Sequence, residues 1–477
     1  MMEALNLIGL LIYFLIILVV GLMAVKHVKN MDDFAIARGI IPWPVVFATM
    51  AATFLGGGST LGMGKMGSSV GYVFLFIVFA FAIQFILAGI FVAPTLKRYR
   101  GAYTVADIMG FHYGKTTRLF SGFISLLYCV GMLGAMVLGM GVVLQVFLGI
   151  PLVWGVVIGI SVAIIYSMAG GLFAVIHTDI IQFITLGFFL PLALLIALFG
   201  EITAAGGLKA TLAALPATHF TFLGVFPWTV FLSLFLAFLL GEALAPIYVP
   251  RIFAAKAPQH ARNGMLASAG FMILFMFCTT SLGVFAHVLL PDVSGDPVLP
   301  SILIHLLPVG IVGAVIAAVL AALMSTADST LGAAGVILVQ DIYKPLVNKE
   351  VSEATQLMLA RIIVLISGVA ATAFALWAPG VIEALVIVYS WWAAAILVPL
   401  VLGILWGKGT PYAGFSAMLG GIAAYSVWEY ALNAPYGFTA IVPGIIVSFV
   451  VFIIVNALTA KSSISASFKP ENYITKN

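Results

Sequence analysis

AVLAALMSTADST, residues 318–330, is an apolar sequence that ends in hydroxyl side chains around one aspartate. Ala322, Ser325, Thr326 and Ser329 recur at helical spacing, so they form one stripe along the helix. A membrane helix cannot leave the carboxylate of Asp328 to lipid, because hydrocarbon does not solvate charge. Hydroxyl stripes also join neighbouring membrane helices, but the nearby aspartate favours ion or proton chemistry.

The composition of the whole chain is that of a membrane protein. Of its 477 residues, 64% are hydrophobic and 8% are charged, whereas about a quarter are charged in soluble domains. Several apolar runs exceed the ~20 residues with which a helix crosses the hydrocarbon core, and none alternates as a barrel strand does. We predict an all-α polytopic membrane protein. Its two cysteines lie in apolar runs, which favours neither disulfides nor a metal cluster.

We predict about thirteen transmembrane helices and interpret the first apolar run as a retained span rather than a signal peptide. The predicted spans are 5–24, 41–66, 70–94, 119–147, 152–170, 177–200, 226–249, 265–290, 309–338, 362–380, 382–406, 412–432 and 440–459. Basic residues concentrate after spans one, three, seven, nine and eleven and on the tail. These positions share one side of the membrane, and the positive-inside rule makes that side the cytoplasm. The N-terminus is then outside and the C-terminus cytoplasmic.

Two predicted spans contain helix breakers at a similar depth. LGGGST, 55–60, places three glycines in span two, and LGEALAP, 240–246, places glycine, an acid and proline in span seven. Irregular backbone at this depth is tolerated where it lines a cavity, and there it can bind ions and substrate. Glycine and proline are also common in ordinary membrane helices, so the matched pair of breaks carries more weight than either alone.

The two breaks lie five spans apart, which gives two five-helix units of opposite topology. This is the pattern of an inverted-repeat transporter. The predicted segments are 1–40 with one extra helix, 41–200 as the first repeat, 201–225 as an outer connector, 226–410 as the second repeat, and 411–477 with two helices and a cytoplasmic tail.

Four motifs together resemble the sodium:solute symporter family. They are GGLFAVIHTDIIQ from Gly170, LAALMSTADST followed by Asp341-Ile342-Tyr343, VPRIFAAK from Val249, and the glycine-rich second span. The family includes sodium-coupled carriers of sugars, proline, pantothenate, sialic acid and monocarboxylates. The resemblance covers nearly the whole chain and implies an inverted-repeat amino-acid-transporter-type core of 5+5 helices, with one helix before it and two after it.

The resemblance also implies a principal sodium site between the first and eighth core helices. Its ligands on this chain are the backbone carbonyls of Ala52, Leu55 and Ala322 and the hydroxyls of Ser325 and Thr326. A helix break beside a serine–threonine pair supplies both kinds of oxygen.

A second sodium site in some family members corresponds here to Asp179, Asp328 and Ser329. Asp328 replaces a neutral hydroxyl, and two carboxylates in one pocket repel each other unless a cation or a proton intervenes. We therefore expect a second sodium or proton site. Asp179 could instead cap the start of its helix.

The resemblance places the solute beside the two breaks. The candidate contacts are Gly57, Ser59, Thr60 and Glu242, with Tyr128, Trp391 and Trp392 on the facing wall. Lys65 either pairs with Glu242 or holds a substrate carboxylate. Positions that carry an acid and a glutamine in sugar carriers match Val78 and Val386, so carboxylates and amino-acid-like solutes are favoured over sugars.

We therefore predict a sodium-coupled symporter that works by alternating access in a prokaryotic inner or plasma membrane. Its partners are a small solute, sodium ions and the lipid bilayer, without nucleic acid, an obligatory protein partner or an organic cofactor. The histidines form no metal-spaced cluster, so an enzyme is not expected. The alternatives are a proton-coupled symporter in which Asp328 or Glu242 titrates, and a transporter-like sensor that moves no solute.

Overall fold

The computed structural model describes residues 2–24, 26, 28–99, 101–204, 206–348 and 350–460, and nearly all of these are helical. The predicted cytoplasmic tail, 461–477, lies outside the described residues. The helices named below are α1 (Met2–Ala24), α2 (Trp43–Phe54), α3 (Met63–Val70), α4 (Val73–Leu87), α5 (Val105–Tyr113), α6 (Lys115–Leu148), α7 (Leu152–Phe199), α8 (Trp228–Leu240), α9 (Val249–Ala254), α10 (Pro258–Leu289), α11 (Val298–Leu306), α12 (Ile311–Ile337), α13 (Glu353–Trp377), α14 (Val381–Trp406), α15 (Pro411–Ser426) and α16 (Ile441–Thr459).

Every predicted span contains helix, but not every helix is long enough to cross a membrane. Among the described residues, nine helices meet the requirements of length and composition, or ten if a bent pair counts as one span. Leu152–Ile165 and Trp228–Leu240 are apolar but shorter, and α15 has 16 residues. The total of thirteen therefore stays a prediction.

Both predicted helix breaks are confirmed. After α2 ends at Phe54, the chain turns and resumes as the π-helical segment Gly58–Gly62, and the bend across this break is 64°. After α8 ends at Leu240, residues 241–248 form turns before α9 begins. A Cβ on Gly56 would lie 2.4 Å from Thr326 Oγ1. Glycine thus lets the first break approach α12 directly.

Helix α12 lies at the centre of the bundle. It packs against α1, α2, α6, α7 and α13. In the most apolar stretch of this span 89% of the residues are buried, compared with 28% in that of α1. Leu11 and Leu15 of α1 are exposed, as expected of side chains that face lipid. The polar stripe of α12 therefore faces protein on all sides rather than the bilayer.

A kink in α7 positions the predicted acid of span six. Gly171 has φ +51°, and a Cβ there would lie 2.5–2.6 Å from the ring and carbonyl of Phe34. Only glycine tolerates this conformation and contact without strain. The kink separates spans five and six and places Asp179 about two helical turns further along.

Loops that carry basic residues meet at one end of the bundle. Lys97 Nζ donates to the carbonyl of Phe253 at 2.7 Å, and the amide of Lys256 donates to the carbonyl of Ile41 at 2.8 Å. Arg118 Nη2 donates to the carbonyl of Gln340 at 2.9 Å. These contacts join the loops after predicted spans one, three, seven and nine, and we call this the basic end.

Candidate functional site

The first helix break and the hydroxyl stripe of α12 form a buried cluster of oxygen atoms. Ser325 Oγ lies 2.6 Å from the carbonyl oxygen of Ala52 and 2.9 Å from that of Ala322. Thr326 Oγ1 lies 2.7 Å from the carbonyl oxygen of Thr53. Leu55 ends α2 beside them with a non-helical ψ of 48°. The structure thus brings together the five residues of the predicted principal sodium site and adds Thr53.

This oxygen cluster has the chemistry of a monovalent cation site. Hard cations prefer carboxylate, carbonyl and hydroxyl oxygens, and divalent sites are usually built around carboxylates. The hydroxyls of Ser325 and Thr326 and the neighbouring carbonyls carry no formal charge and are buried. A sodium ion entering here would replace hydroxyl-to-carbonyl hydrogen bonds with contacts from the same oxygens.

A buried guanidinium forms a second polar cluster, nearer the basic end. Arg251 is 1% exposed, and its Nη2 lies 3.0 Å from Asp179 Oδ2 and 2.5 Å from Ser329 Oγ. Its Nε donates to Thr49 Oγ1 at 2.9 Å, and its Nη1 donates to the carbonyl of Ile247 at 2.7 Å. Thr49 in turn donates to Asp179. Arg251 therefore connects α2, α7 and α12 to the chain that follows the second break.

Asp328 lies against a different part of α7 from Asp179. Its Oδ1 accepts a hydrogen bond from Ser167 Oγ at 3.1 Å, and Ser167 precedes the kink. Ser329 is the next residue of α12, and its Oγ lies 3.0 Å from Thr53 Oγ1 and also contacts Arg251. Two of the residues predicted for a second cation site thus share a guanidinium, and the third accepts from Ser167. That site stays a prediction.

A small cavity lies between the two helix breaks. Its volume is ≈ 30 Å³, which is room for about two water molecules. The lining includes the backbone of residues 56–58, four phenylalanines, four methionines, Tyr389 and Glu242. A solute can enter only if these side chains move, and methionine is flexible enough to repack around one.

Glu242 supplies the formal charge of this cavity. It is 2% exposed, and it is the one acidic or basic side chain among the described residues of the lining. Tyr248 donates to its Oε1 at 2.8 Å, whereas Oε2 has no hydrogen-bond partner of normal geometry in the described part of the chain. Tyr389 also lies within hydrogen-bonding reach of this carboxylate, so a ligand that binds Glu242 would share it with two tyrosines.

Only some of the remaining predicted solute contacts reach the cavity. Gly57 and Ser59 line the cavity, whereas the Thr60 hydroxyl donates to the carbonyl of Gly56 at 2.8 Å within the break. Tyr128 and Trp392 pack on each other with ring centroids 5.7 Å apart and are absent from the lining. Trp391 packs against a cluster formed by Ala394, Tyr425 and Ala440. Adjacent helical residues point about 100° apart, so Trp391 and Trp392 do not share the predicted wall.

Comparison with known proteins identifies the family. The model of the "Sodium:solute symporter family" matches residues 34–421, a region that contains both breaks, the oxygen cluster and Arg251. The chain belongs to the sodium:solute symporter family. It is an integral membrane transporter rather than an enzyme, and it couples the movement of a small solute to sodium.

Relatives of this symporter extend over most of its length. It is 26% identical to the high-affinity proline transporter of Bacillus subtilis (strain 168) over 94% of this chain and 96% of that protein. It is 28% identical to the sodium/glucose cotransporter of Vibrio parahaemolyticus over 84% of this chain and 80% of that one. The structure of a Na⁺-coupled sialic acid symporter in a substrate-bound outward-open state aligns with a TM-score of 0.80 at 20% identity, covering 96% of this chain and 97% of that one. This likeness confirms the predicted inverted-repeat fold.

Lys65 of the symporter belongs to an ion-pair cluster at the end opposite the basic end. Its Nζ lies 2.6 Å from Glu383 Oε1 and 3.8 Å from Asp296 Oδ1, and Asp296 Oδ2 accepts from the amide of Val381 at 2.9 Å. Burial raises the pKa of Asp296 above its usual range, although the Val381 amide and Lys65 favour its ionised form. Lys65 pairs with Glu383 rather than with Glu242, so it is already occupied by acids in this structure.

We expect Glu383→Gln to open the cavity from this end, because the ion pair joins α3 of the broken helix to the start of α14. A partly exposed pair contributes about 1 kcal/mol or less, so the labelling rate of a cysteine introduced at Ser59 should rise by roughly twofold to fivefold. The measurement is alkylation by a membrane-impermeant maleimide. Glu201→Gln is the matched control, since Glu201 pairs with His305 at 2.8 Å. Equal labelling in the two variants would contradict the expected role.

Sequence reasoning missed three residues that the structure brings to these sites: Arg251, Tyr248 and Tyr389. Tyr248 is the last residue of the second break and Arg251 follows it closely, in the sequence IYVPR of residues 247–251. Because irregular backbone at membrane depth lines a cavity, the polar residues that follow a break are the signal that could have identified them. Tyr389 lies in an apolar run and offered no such signal.

Proposed function

We propose that this symporter imports an amino-acid-like solute with an apolar side chain, together with sodium bound by Ala52, Leu55, Ala322, Ser325 and Thr326. The N-terminus lies outside, and the basic end and the C-terminus lie in the cytoplasm of a prokaryotic cell. The core is built of two repeats, 41–200 and 226–410, and the bundle rocks to release sodium and solute inside, without an organic cofactor or an obligatory protein partner. The observation that carries the choice of solute is Glu242.

Glu242 favours a solute that contains an ammonium group. A buried carboxylate is unfavourable unless a cation pairs with it, and no basic side chain among the described residues lines the cavity. A simple carboxylate would meet the charge of Glu242 without a partner, because Lys65 is engaged by Glu383 at 2.6 Å. This argument revises the expectation from sequence, in which carboxylates ranked with amino acids.

The first break can accept the carboxylate of such a solute. The amide of Gly57 donates to Met136 Sδ at 3.2 Å, and a thioether is a weak acceptor. The start of a half-helix carries partial positive charge, which favours a carboxylate at this position. A zwitterion therefore fits between the two breaks, with its ammonium group at Glu242 and its carboxylate at Gly57.

The cavity wall supports an apolar side chain and argues against a sugar. Phenylalanine and methionine side chains make up much of the lining, and Val78 is among the lining residues. A sugar site needs polar groups that match several hydroxyls, since each unmatched hydroxyl is penalised on burial. An organic ammonium ion without a carboxylate is a second candidate, because the aromatic rings of Phe81, Phe238 and Tyr389 border the cavity and can attract a cation.

The glycines of the first break explain how sodium and solute are coupled. Gly56 lies against Thr326 of the oxygen cluster, while Gly57 and Gly58 line the cavity. A sodium ion that fixes the end of α2 therefore also fixes the backbone that the solute contacts. Each ligand raises the affinity for the other by the same factor, as linkage requires.

The test is a thermal-stability screen of the purified protein in sodium chloride and in potassium chloride. The panel contains apolar amino acids, alkylammonium ions, monocarboxylates and hexoses. We expect an apolar amino acid to raise the midpoint in sodium only, because ligands that bind the folded state stabilise it. A hexose that stabilises the protein would contradict the proposed solute. Stabilisation by any solute that is equal in both salts and changes with pH would favour the proton-coupled alternative.

A further inference from the structure

We propose that Arg251 is a built-in cation that occupies the position of a second coupling ion, so that the symporter binds one sodium ion in each transport cycle. This inference rests on the proposed principal sodium site, because that oxygen cluster is then the one that takes an ion from solution. It adds the ion stoichiometry, which the proposed function leaves open.

Asp179 is a fully buried carboxylate, and a buried carboxylate requires a positive partner. Arg251 Nη2 supplies that partner at 3.0 Å from Oδ2 and also contacts Ser329 Oγ at 2.5 Å. A sodium ion bound by Asp179 Oδ2 and Ser329 Oγ would need the same two oxygens, and it would be repelled by the guanidinium at contact distance.

Hydrogen bonds hold the charged side chain of Arg251 in place. Thr49 Oγ1 and the carbonyl of Ile247 fix its Nε and Nη1 at 2.9 and 2.7 Å. A guanidinium does not lose its proton in a protein, so the charge is present at every working pH. A tethered cation neutralises Asp179 but is not carried across the membrane.

Without Arg251, Asp179 would become a buried and uncompensated carboxylate, which is strongly unfavourable. A cavity of ≈ 10 Å³ already borders Arg251 and Ser329, and loss of the arginine side chain would enlarge it. Sodium from solution is the cation that could then enter. Arg251→Ala should therefore create a sodium site, whereas Arg251→Lys retains a built-in charge.

The experiment counts ²²Na⁺ ions bound per molecule of purified full-length protein in nanodiscs, by scintillation proximity. We expect the unmodified protein to bind one ion, and Ser325→Ala/Thr326→Ala to lose it. Arg251→Ala should bind a second ion, and Arg251→Lys should stay at one. Arg262→Ala is the matched control, because it removes a positive charge from an exposed residue of α10. A count of two ions on the unmodified protein would overturn the inference even if a variant fails to fold.

Three results would overturn this inference, and they differ from one another. Two sodium ions on the unmodified protein would show that Arg251 does not exclude the second, while leaving sodium coupling intact. A single ion that survives Ser325→Ala/Thr326→Ala and is lost in Asp179→Asn would place the bound ion at the guanidinium cluster. No bound sodium at all would overturn the proposed sodium site and this inference with it.

Discussion

Joint replacement of Ser325 and Thr326 by alanine is expected to abolish sodium-dependent uptake while the protein remains folded in the membrane. The two hydroxyls supply two of the five oxygens in the proposed site, and both are fully buried. A polar contact to a charged group contributes about 1.5–3 kcal/mol. Loss of both should weaken sodium binding by roughly a hundredfold to ten-thousandfold.

Thr330→Ala is the control for this double variant. Thr330 is buried in the same helix, and its hydroxyl bonds back to the carbonyl of Thr326 at 2.5 Å, so its loss tests the effect of removing a hydroxyl outside the cluster. The measurement is the sodium dependence of uptake in proteoliposomes, with membrane level as the check on folding. Unchanged sodium affinity in the double variant would place the ion elsewhere.

The oxygen cluster was predictable because its signals are local and unusual in their context. An apolar helix that carries Ser325 and Thr326, and a span that contains three consecutive glycines, are each unfavourable in lipid unless they face protein. When both features occur in one bundle, the hydroxyls of the helix can donate hydrogen bonds to carbonyls at the break. The contact between Ser325 and Ala52, which are 273 residues apart, follows from this pairing together with the family resemblance.

The position of Arg251 could not be predicted by the same reasoning. The positive-inside rule assigns arginines near span ends to loops, and it takes no account of a broken span that keeps the following residues inside the bundle. The pairing with Asp179 depends on where α9 lies relative to α7. The pairing of Lys65 with Glu383, 318 residues away, likewise depends on how the two repeats pack.

The aromatic contacts show a different limit of sequence reasoning. The family resemblance predicts both Trp391 and Trp392 on the facing wall, but Trp391 packs against the cluster that contains Tyr425, and Tyr389 lines the cavity. An apolar helix has no polar face from which to read its rotation, because lipid and protein core are both apolar. For the same reason, apolar sequence alone does not tell a helix that crosses the membrane from one that is buried in the bundle.

Replacement of Glu242 by glutamine is expected to weaken solute binding far more than sodium binding. Glutamine keeps the shape of the side chain and removes the charge that pairs with the proposed ammonium group. Loss of one partner from a buried charge pair costs about 2–5 kcal/mol, so solute affinity should fall by at least about 30-fold. The measurement is solute binding at saturating sodium, alongside a sodium titration of the same variant.

Tyr248→Phe is the control that separates loss of charge from loss of a hydrogen bond. It removes the bond of 2.8 Å to Glu242 Oε1 but keeps the carboxylate, and one such bond contributes roughly 1.5–3 kcal/mol when its acceptor is charged. We therefore expect a smaller decrease in solute affinity than in Glu242→Gln. If solute affinity decreased equally in the two variants, the hydrogen-bonded arrangement of Tyr248 and Glu242, rather than the negative charge, would determine solute affinity.

Sodium affinity in Glu242→Gln distinguishes a solute contact from a structural support. The oxygen cluster shares the first break with the cavity, but Glu242 belongs to the second break, so its neutralisation should leave the sodium ligands in place. In the absence of solute, sodium binding should therefore stay within about threefold of the unmodified protein, a change of less than 1 kcal/mol. If sodium and solute affinities fall together, Glu242 supports the packing of both breaks. A third outcome is that solute affinity is unchanged but the variant loses an uptake that is driven by pH and does not require sodium. In that case Glu242 carries a proton and the symporter is proton-coupled.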